Sequence, residues 1–167
     1  MCIRDRAHTI NLDELFLAFS SSLSNFDNEH GMANSRARLR MTTLYQVAAA
    51  NKGIVVGTGN KVEDFGVGFY TKYGDGGVDI SPIADCNKTQ VWELGKELGI
   101  LNEIIEAAPT DGLWDDGRTD EGQLGLKYEE LEEAMDNPKS SNRAKYETIR
   151  KQNLHKMDPI PVCKIPN

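Results

Sequence analysis

The sequence predicts an α/β fold built around a parallel sheet. Helical patterns of apolar residues alternate with a short β-branched run, Ile54-Val55-Val56, which indicates a buried strand. This run passes directly into the loop GTGN, and a second glycine-rich segment, YGDGG, begins at Tyr73. Helix, strand and loop in this order are typical of sheets whose ligands bind beyond the carboxyl ends of the strands.

Two helices are predicted before the strand. Apolar residues recur at spacings of three and four over residues 12–23, the pattern of an amphipathic helix. A second helical pattern covers residues 35–51. Three arginines would fall in its first turns and oppose the helix dipole, namely Arg36, Arg38 and Arg40.

Four further helices are predicted after the glycine-rich segments. The first has Gly99 as its cap, and the second is ended by Pro109. The four patterns cover residues 88–98, 101–107, 128–135 and 141–153.

The two ends of the chain differ in pattern from the rest. The opening MCIRDR has no strand or helix period, and we interpret residues 1–7 as an artefactual leader. Three prolines among the last nine residues predict an extended arm, which we assign to residues 155–167. Residues 8–154 then form one partial domain.

Composition excludes several classes of protein. The chain of 167 residues is 39% hydrophobic and 27% charged, an ordinary globular balance, and no apolar run reaches the ~20 residues of a membrane span. A net charge of −7 argues against nucleic acid as a partner, because such binding depends on clustered Lys and Arg. Three cysteines at no metal-ligand spacing favour a reducing, cytoplasmic setting.

Three motifs in fixed order carry a family resemblance. The first, GTGNKVED, begins at Gly57. The second, KYGDGGVD, begins at Lys72, and the third, APTDGLWDDGRTDE, begins at Ala108. Alone, the glycine cluster would indicate a solvated turn. Together, over residues 34–135, the motifs resemble the ammonia-dependent NAD synthetases, and the tail HKMDPIPVCKIP extends the match.

The resemblance implies a fold, a reaction and partners. The fold is the adenine-nucleotide alpha-hydrolase-like fold of the N-type ATP pyrophosphatases, incomplete at the amino terminus. ATP would activate the nicotinate carboxylate of deamido-NAD as an acyl-adenylate, and ammonia would then displace AMP. Mg²⁺ would assist as cofactor, and the protein would be a homodimer whose subunits join through the first two helices. The C-terminal arm and the absence of a nitrilase-like domain favour ammonia over glutamine as the nitrogen source.

The resemblance also implies nine binding residues and no catalytic side chain. Glu63 corresponds to the magnesium ligand, although Asp64 beside it is an alternative. The ATP contacts would be Thr58, Lys88 and Thr110. The deamido-NAD contacts would be Arg38, Lys72, Asp79, His155 and Lys156. Taken one at a time, each has a structural alternative, such as a surface lysine at a helix start or an exposed loop carboxylate.

One expected motif does not occur. The family's pyrophosphate-binding loop is Ser-Gly-Gly-x-Asp-Ser, and this sequence lacks it. We therefore expect that about 100 or more amino-terminal residues of a complete domain are missing, and that this chain alone is inactive. The alternatives are a non-catalytic module for deamido-NAD binding or dimerisation, and another amidotransferase of the ATP pyrophosphatase type.

Overall fold

The structure is a computed structural model that describes residues 6–114 and 116–165. Most of the predicted leader and the last two residues of the predicted arm lie outside these ranges. None of the helices in the described ranges is both long enough and apolar enough to cross a membrane.

The described residues form seven α-helices, a 3-10 turn and a π-helical segment. The helices are Asp13–Ser22 (α1), Glu29–Ala50 (α2), Lys88–Glu97 (α3), Asn102–Ile105 (α4), Asp120–Leu124 (α5), Tyr128–Asp136 (α6) and Arg143–Met157 (α7). The 3-10 turn is Ser24–Phe26, and the π-helical segment is Lys61–Val67. The six predicted helices are thus confirmed, whereas α5 and the π-helical segment were not predicted.

Helix α2 begins six residues earlier than its apolar pattern predicts. Asn28 caps it, since its side-chain oxygen accepts a hydrogen bond from the backbone N–H of Gly31 at 2.8 Å. The three arginines consequently lie in the middle of the helix. The predicted conflict with the helix dipole is wrong, because that dipole acts mainly at the terminal turns.

The predicted strand is reduced to a single bridge. Val56 pairs in parallel with Ile80, and the N–H of Gly57 donates to the Ile80 carbonyl at 2.7 Å. Val55 is buried, but Ile54 and Val56 are 59% and 52% exposed, so the prediction that the whole run is buried is wrong. No other strand pairs with this segment among the described residues.

The main core joins the π-helical segment to α6 and α7. Its largest fully buried side chains include Tyr128, Leu131, Val62 and Val67. Burying an apolar side chain of this size away from water stabilises the folded state by about 1.5–3 kcal/mol. Because Val62 and Val67 bracket Glu63, the core also fixes the segment that carries the predicted metal ligand.

Helix α7 continues three residues beyond the predicted start of the arm. His155 and Lys156 lie in its last turn, where positive charge is favourable to the helix dipole. The prediction of an extended arm from His155 is therefore wrong for residues 155–157. Non-helical chain begins at Asp158, and Ile160 and Val162 are exposed.

Candidate functional site

Four of the five predicted deamido-NAD contacts line one cavity of about 510 Å³. They are Arg38 on α2, Lys72 in the segment after the π-helix, and His155 and Lys156 at the end of α7. Residues far apart in the sequence are thus brought to one place. The cavity is rich in cationic groups although the chain as a whole is acidic.

The end of α7 is fastened to the segment before the glycine cluster by reciprocal hydrogen bonds, which we call the α7 latch. The Lys156 ammonium donates to the carbonyls of Gly68 and Tyr70 at 2.9 and 2.8 Å. The Tyr70 hydroxyl donates to the Lys156 carbonyl at 2.6 Å, and the Lys72 ammonium donates to the His155 carbonyl at 2.5 Å. Burial lowers the pKa of Lys156, while the nearby carboxylate of Asp75 opposes this effect.

The glycine cluster lets the chain pass close to α2. A β-carbon at Gly74 would lie 2.9 Å from that of Ala37, so no larger residue fits without movement. The Thr71 hydroxyl donates to the Asn34 side chain at 2.7 Å, and the Arg38 Nε donates to the Lys72 carbonyl at 3.3 Å. These contacts set the position of Arg38 relative to Lys72.

A second cavity of about 240 Å³ adjoins the first. Thr58, a predicted ATP contact, lines it and is exposed. Asp75, Asp111 and Leu113 line both cavities. The cavity that Thr58 lines therefore shares a boundary with the cavity of the four predicted deamido-NAD contacts.

Glu63 and Lys88, assigned by resemblance to metal and ATP, are in direct contact. The Lys88 ammonium donates to Glu63 Oε1 at 3.0 Å, and the Tyr128 hydroxyl donates to the same oxygen at 2.5 Å. Tyr128 also lies 3.1 Å from Asp120 Oδ2. The Asn60 side chain caps the π-helical segment by accepting from the N–H groups of Val62 and Glu63 at 3.0 and 3.1 Å.

Burial shifts the pKa values of the acidic groups in this region. It raises the pKa of Tyr128, as does the neighbouring charge of Glu63. It also raises the pKa of Asp120, although the hydrogen bond with Tyr128 opposes the change. For Asp64, burial followed by repulsion from Glu63 and Asp75 raises the pKa to about 6.

The described side chains around Glu63 offer few ligands for a metal ion. Among the described residues, no group of three or more His, Cys, Asp or Glu side chains is arranged to hold a metal ion. Glu63 Oε1 takes both donors, and Oε2 has no hydrogen-bond donor within the described ranges. This arrangement fits Mg²⁺, which commonly uses one or two carboxylates together with water and substrate phosphates.

Four predicted contacts lie outside both cavities, namely Glu63 and Lys88, described above, and Asp79 and Thr110. The carboxylate of Asp79 accepts from the Val55 N–H at 2.7 Å and from the Tyr45 hydroxyl at 3.3 Å, so it holds the bridged segment in place. Thr110 is exposed and follows Pro109, whose carbonyl accepts the Asp120 N–H at 3.0 Å. Their roles in ligand binding stay predictions.

The sequence interpretation missed the residues that support the site. The sequence places Tyr128 in a helical pattern and Asp120 in the third motif, and neither position indicates a role. The sequence indicates no role for Tyr70 or Asn60 either. A buried hydroxyl partner or a side-chain cap depends on the fold, and no spacing in the sequence identifies it.

Comparison with known proteins decides the family. The model of the NAD synthase family matches residues 2–165, almost the whole chain. The chain belongs to the NAD synthase family. This finding favours the expected family over the other ATP pyrophosphatases.

Curated members of the NAD synthase family resemble this chain over part of their length. The NH₃-dependent NAD⁺ synthetase of Carboxydothermus hydrogenoformans is 46% identical over 127 residues, which cover 74% of this chain and 51% of that protein. The enzyme of the same name from Alkaliphilus oremlandii is 42% identical over 149 residues, which cover 87% of this chain and 59% of that protein. The chain thus spans about half the length of the curated relatives it matches.

Two solved structures share the fold of this chain over most of its length. An NMN synthetase from Francisella tularensis superposes with a TM-score of 0.85 and 35% identity, covering 96% of this chain and 66% of that one. An NH₃-dependent NAD synthetase from Campylobacter jejuni gives a TM-score of 0.69 at 24% identity, covering 93% of this chain and 64% of that one. The second likeness supports the fold alone.

Proposed function

We propose that this chain serves the ATP-dependent amidation of deamido-NAD by ammonia, which yields NAD, AMP and pyrophosphate. The observation that carries the proposal is the 510 Å³ cavity in which Arg38, Lys72, His155 and Lys156 converge. Deamido-NAD carries a diphosphate and a nicotinate carboxylate, and cations at fixed positions suit both groups. The NAD synthase relatives support the same reaction. We propose that the reaction takes place on a nucleotide-binding domain with a parallel sheet, and that this chain forms part of that domain.

The reaction divides into two displacements. A carboxylate oxygen of the nicotinate attacks the α-phosphate of ATP, the bond to the β-phosphate breaks, and pyrophosphate leaves. Ammonia then attacks the activated carbonyl, loses a proton and expels AMP. The protein's task is to position the reactants and to neutralise the triphosphate charge.

We assign the ATP side of the reaction to Thr58, Lys88 and Thr110. Lys88 carries a positive charge beside Glu63, and its ammonium lies 4.9 Å from the ring centre of Tyr128. We assign Mg²⁺ to Glu63, and the ion would neutralise charge on the phosphates. Asp79 would contribute a carboxylate to the deamido-NAD side once its bonds to Val55 and Tyr45 are exchanged.

A second candidate substrate is the mononucleotide of nicotinate, which lacks the adenylate half of deamido-NAD. The Francisella tularensis neighbour, named as an NMN synthetase, supports it through a TM-score of 0.85 over 96% of this chain. The chemistry at the carboxylate would be the same. The two candidates differ in whether the cavity must also accommodate AMP.

Calorimetric titration of the chain with deamido-NAD and with nicotinate mononucleotide tests both candidates. We expect binding of at least one, weakened at least tenfold in Arg38→Ala and unchanged in Lys139→Ala, an exposed lysine outside the cavity. Catalysis would be measured in a chimera that joins this chain to the part of the Carboxydothermus hydrogenoformans synthetase that this chain does not match. No binding of either compound, with no NAD formed by a folded chimera, would reject the proposal.

We also propose that the protein is a homodimer joined through α1 and α2 and that it works in the cytoplasm. Leu15 and Leu17 on α1 and Leu44 on α2 are at least half exposed, which supports an apolar contact surface. The free thiols of Cys86 and Cys163 suit a reducing compartment. Light scattering should give a dimer mass for wild type and a monomer mass for Leu17→Asp, and a monomeric wild-type protein would reject the dimer.

A further inference from the structure

The hydroxyl of Tyr128 lies between two carboxyl groups in the core. It is 2.5 Å from Glu63 Oε1 and 3.1 Å from Asp120 Oδ2. Tyr128 is completely buried, and its ring meets that of Trp92 edge to face with centroids 6.0 Å apart. The packing therefore fixes where the hydroxyl points.

The two carboxylate oxygens of Glu63 differ in their hydrogen bonds. Oε1 accepts from both Tyr128 and Lys88, while Oε2 has no donor among the described residues. One donor is neutral and locked in the core. The other is a cation that the proposed function assigns to ATP. If Lys88 turns to a phosphate, Tyr128 still holds Glu63.

Asp120 supports the phenol from the other side. It is 6% exposed, its N–H is held by the Pro109 carbonyl at 3.0 Å, and its Oδ1 has no hydrogen-bond partner in the described ranges. Placing a carboxyl group this deep is costly unless it makes a specific contact. Within the described residues, its side-chain contact is with Tyr128.

We propose that Tyr128, backed by Asp120, is a positioning residue that fixes Oε1 of Glu63 and leaves Oε2 directed to a ligand. The proposal rests on the proposed function for the identity of that ligand, a divalent cation. Neither residue needs to touch substrate. Buried partners of this kind orient metal-binding side chains, and their loss typically weakens metal affinity about 10–100-fold.

Two measurements on the 167-residue chain test the proposal. The first is the proton NMR resonance of the buried Tyr128 hydroxyl, which should disappear in Tyr128→Phe and move in Glu63→Gln. The second is the dissociation constant for Mn²⁺ as a probe, which should rise about 10–100-fold in Tyr128→Phe.

Tyr146→Phe is the matched control. Tyr146 is also buried in the core, but its hydroxyl contacts the Gly66 carbonyl at 3.3 Å and not Glu63. We expect this variant to keep both the Tyr128 resonance and the wild-type Mn²⁺ affinity within about twofold. Asp120→Asn retains a group that can bond the phenol, so it should bind Mn²⁺ more tightly than Asp120→Ala.

The outcomes separate this proposal from the proposed function. A hydroxyl resonance that Glu63→Gln does not move overturns the positioning role, as does equal Mn²⁺ affinity in Tyr128→Phe and wild type. If wild type binds no Mn²⁺, the metal assignment of Glu63 fails, and the resonance alone decides whether Tyr128 positions Glu63. If Tyr128→Phe does not fold, the response of the wild-type resonance to Glu63→Gln decides.

Discussion

Replacing Asp64 with Asn should stabilise the protein, and the gain should depend on pH. The Asp64 carboxylate lies against Gly59, where a β-carbon would be 2.1 Å from Oδ2. Burial and the charges of Glu63 and Asp75 raise its pKa from 3.8 to about 6. Ionising Asp64 therefore destabilises the folded protein. Asn stays neutral at every pH, so the variant avoids this cost.

The sign follows from proton binding. Between pH 3.8 and about 6 the folded state keeps the Asp64 proton and the unfolded state has lost it, so wild-type stability falls as pH rises through this range. The full difference corresponds to about 3 kcal/mol, at about 1.4 kcal/mol per pH unit. Because the side chain is only partly buried, solvent screening reduces the expected gain to about 1–2 kcal/mol.

Urea unfolding of wild type and Asp64→Asn in metal-free buffer measures this difference. The free energy of unfolding should be nearly equal at about pH 4 and should differ by the predicted amount at about pH 8. Asp27→Asn, at an exposed aspartate, is the control and should show no such gain. A variant less stable than wild type at the higher pH, or an equal gain at both, contradicts the reasoning.

Three further predictions concern the core, the π-helical cap and the latch. Leu131→Ala should lower the free energy of unfolding by about 2–5 kcal/mol in urea titrations, since the side chain is fully buried. A loss below about 1 kcal/mol would refute this packing. Asn60→Ala should cost about 1 kcal/mol or more by the same assay because two N–H groups lose their acceptor, and an unchanged midpoint would contradict that cap. Tyr70→Phe should speed amide hydrogen exchange over residues 152–157, measured by mass spectrometry, with Tyr45→Phe as control; unaltered exchange would mean that the hydroxyl does not hold α7.

The sequence predicted six of the helices because their patterns of apolar residues are local. It misplaced the start of α2 because the first turns, from Glu29 onwards, carry few apolar residues, and Asn28 marks the start instead. It ended α7 too early because the prolines after Asp158 predict an extended arm, and no residue between His155 and Asp158 marks where the helix ends. The latch that keeps residues 155–157 helical joins positions more than 80 residues apart, which no local pattern contains.

For the candidate site, the resemblance selected residues that the fold brings together. Arg38, Lys72, His155 and Lys156 share a cavity, and Glu63 contacts Lys88. The supporting residues could not be predicted in the same way. A side chain such as Tyr128 owes its role to the atoms it meets, and these come from the π-helical segment and α5.

The α7 latch has a consequence for shortening the protein. Because the backbone carbonyls of His155 and Lys156 are themselves the acceptors, a chain cut before His155 would lose a wall of the cavity as well as the side chains of both residues. A cut after Asp158 would remove only chain that lies beyond the helix. Affinity tags and fusion partners should therefore be attached beyond Asp158, and trimming closer to the helix would open the cavity to solvent.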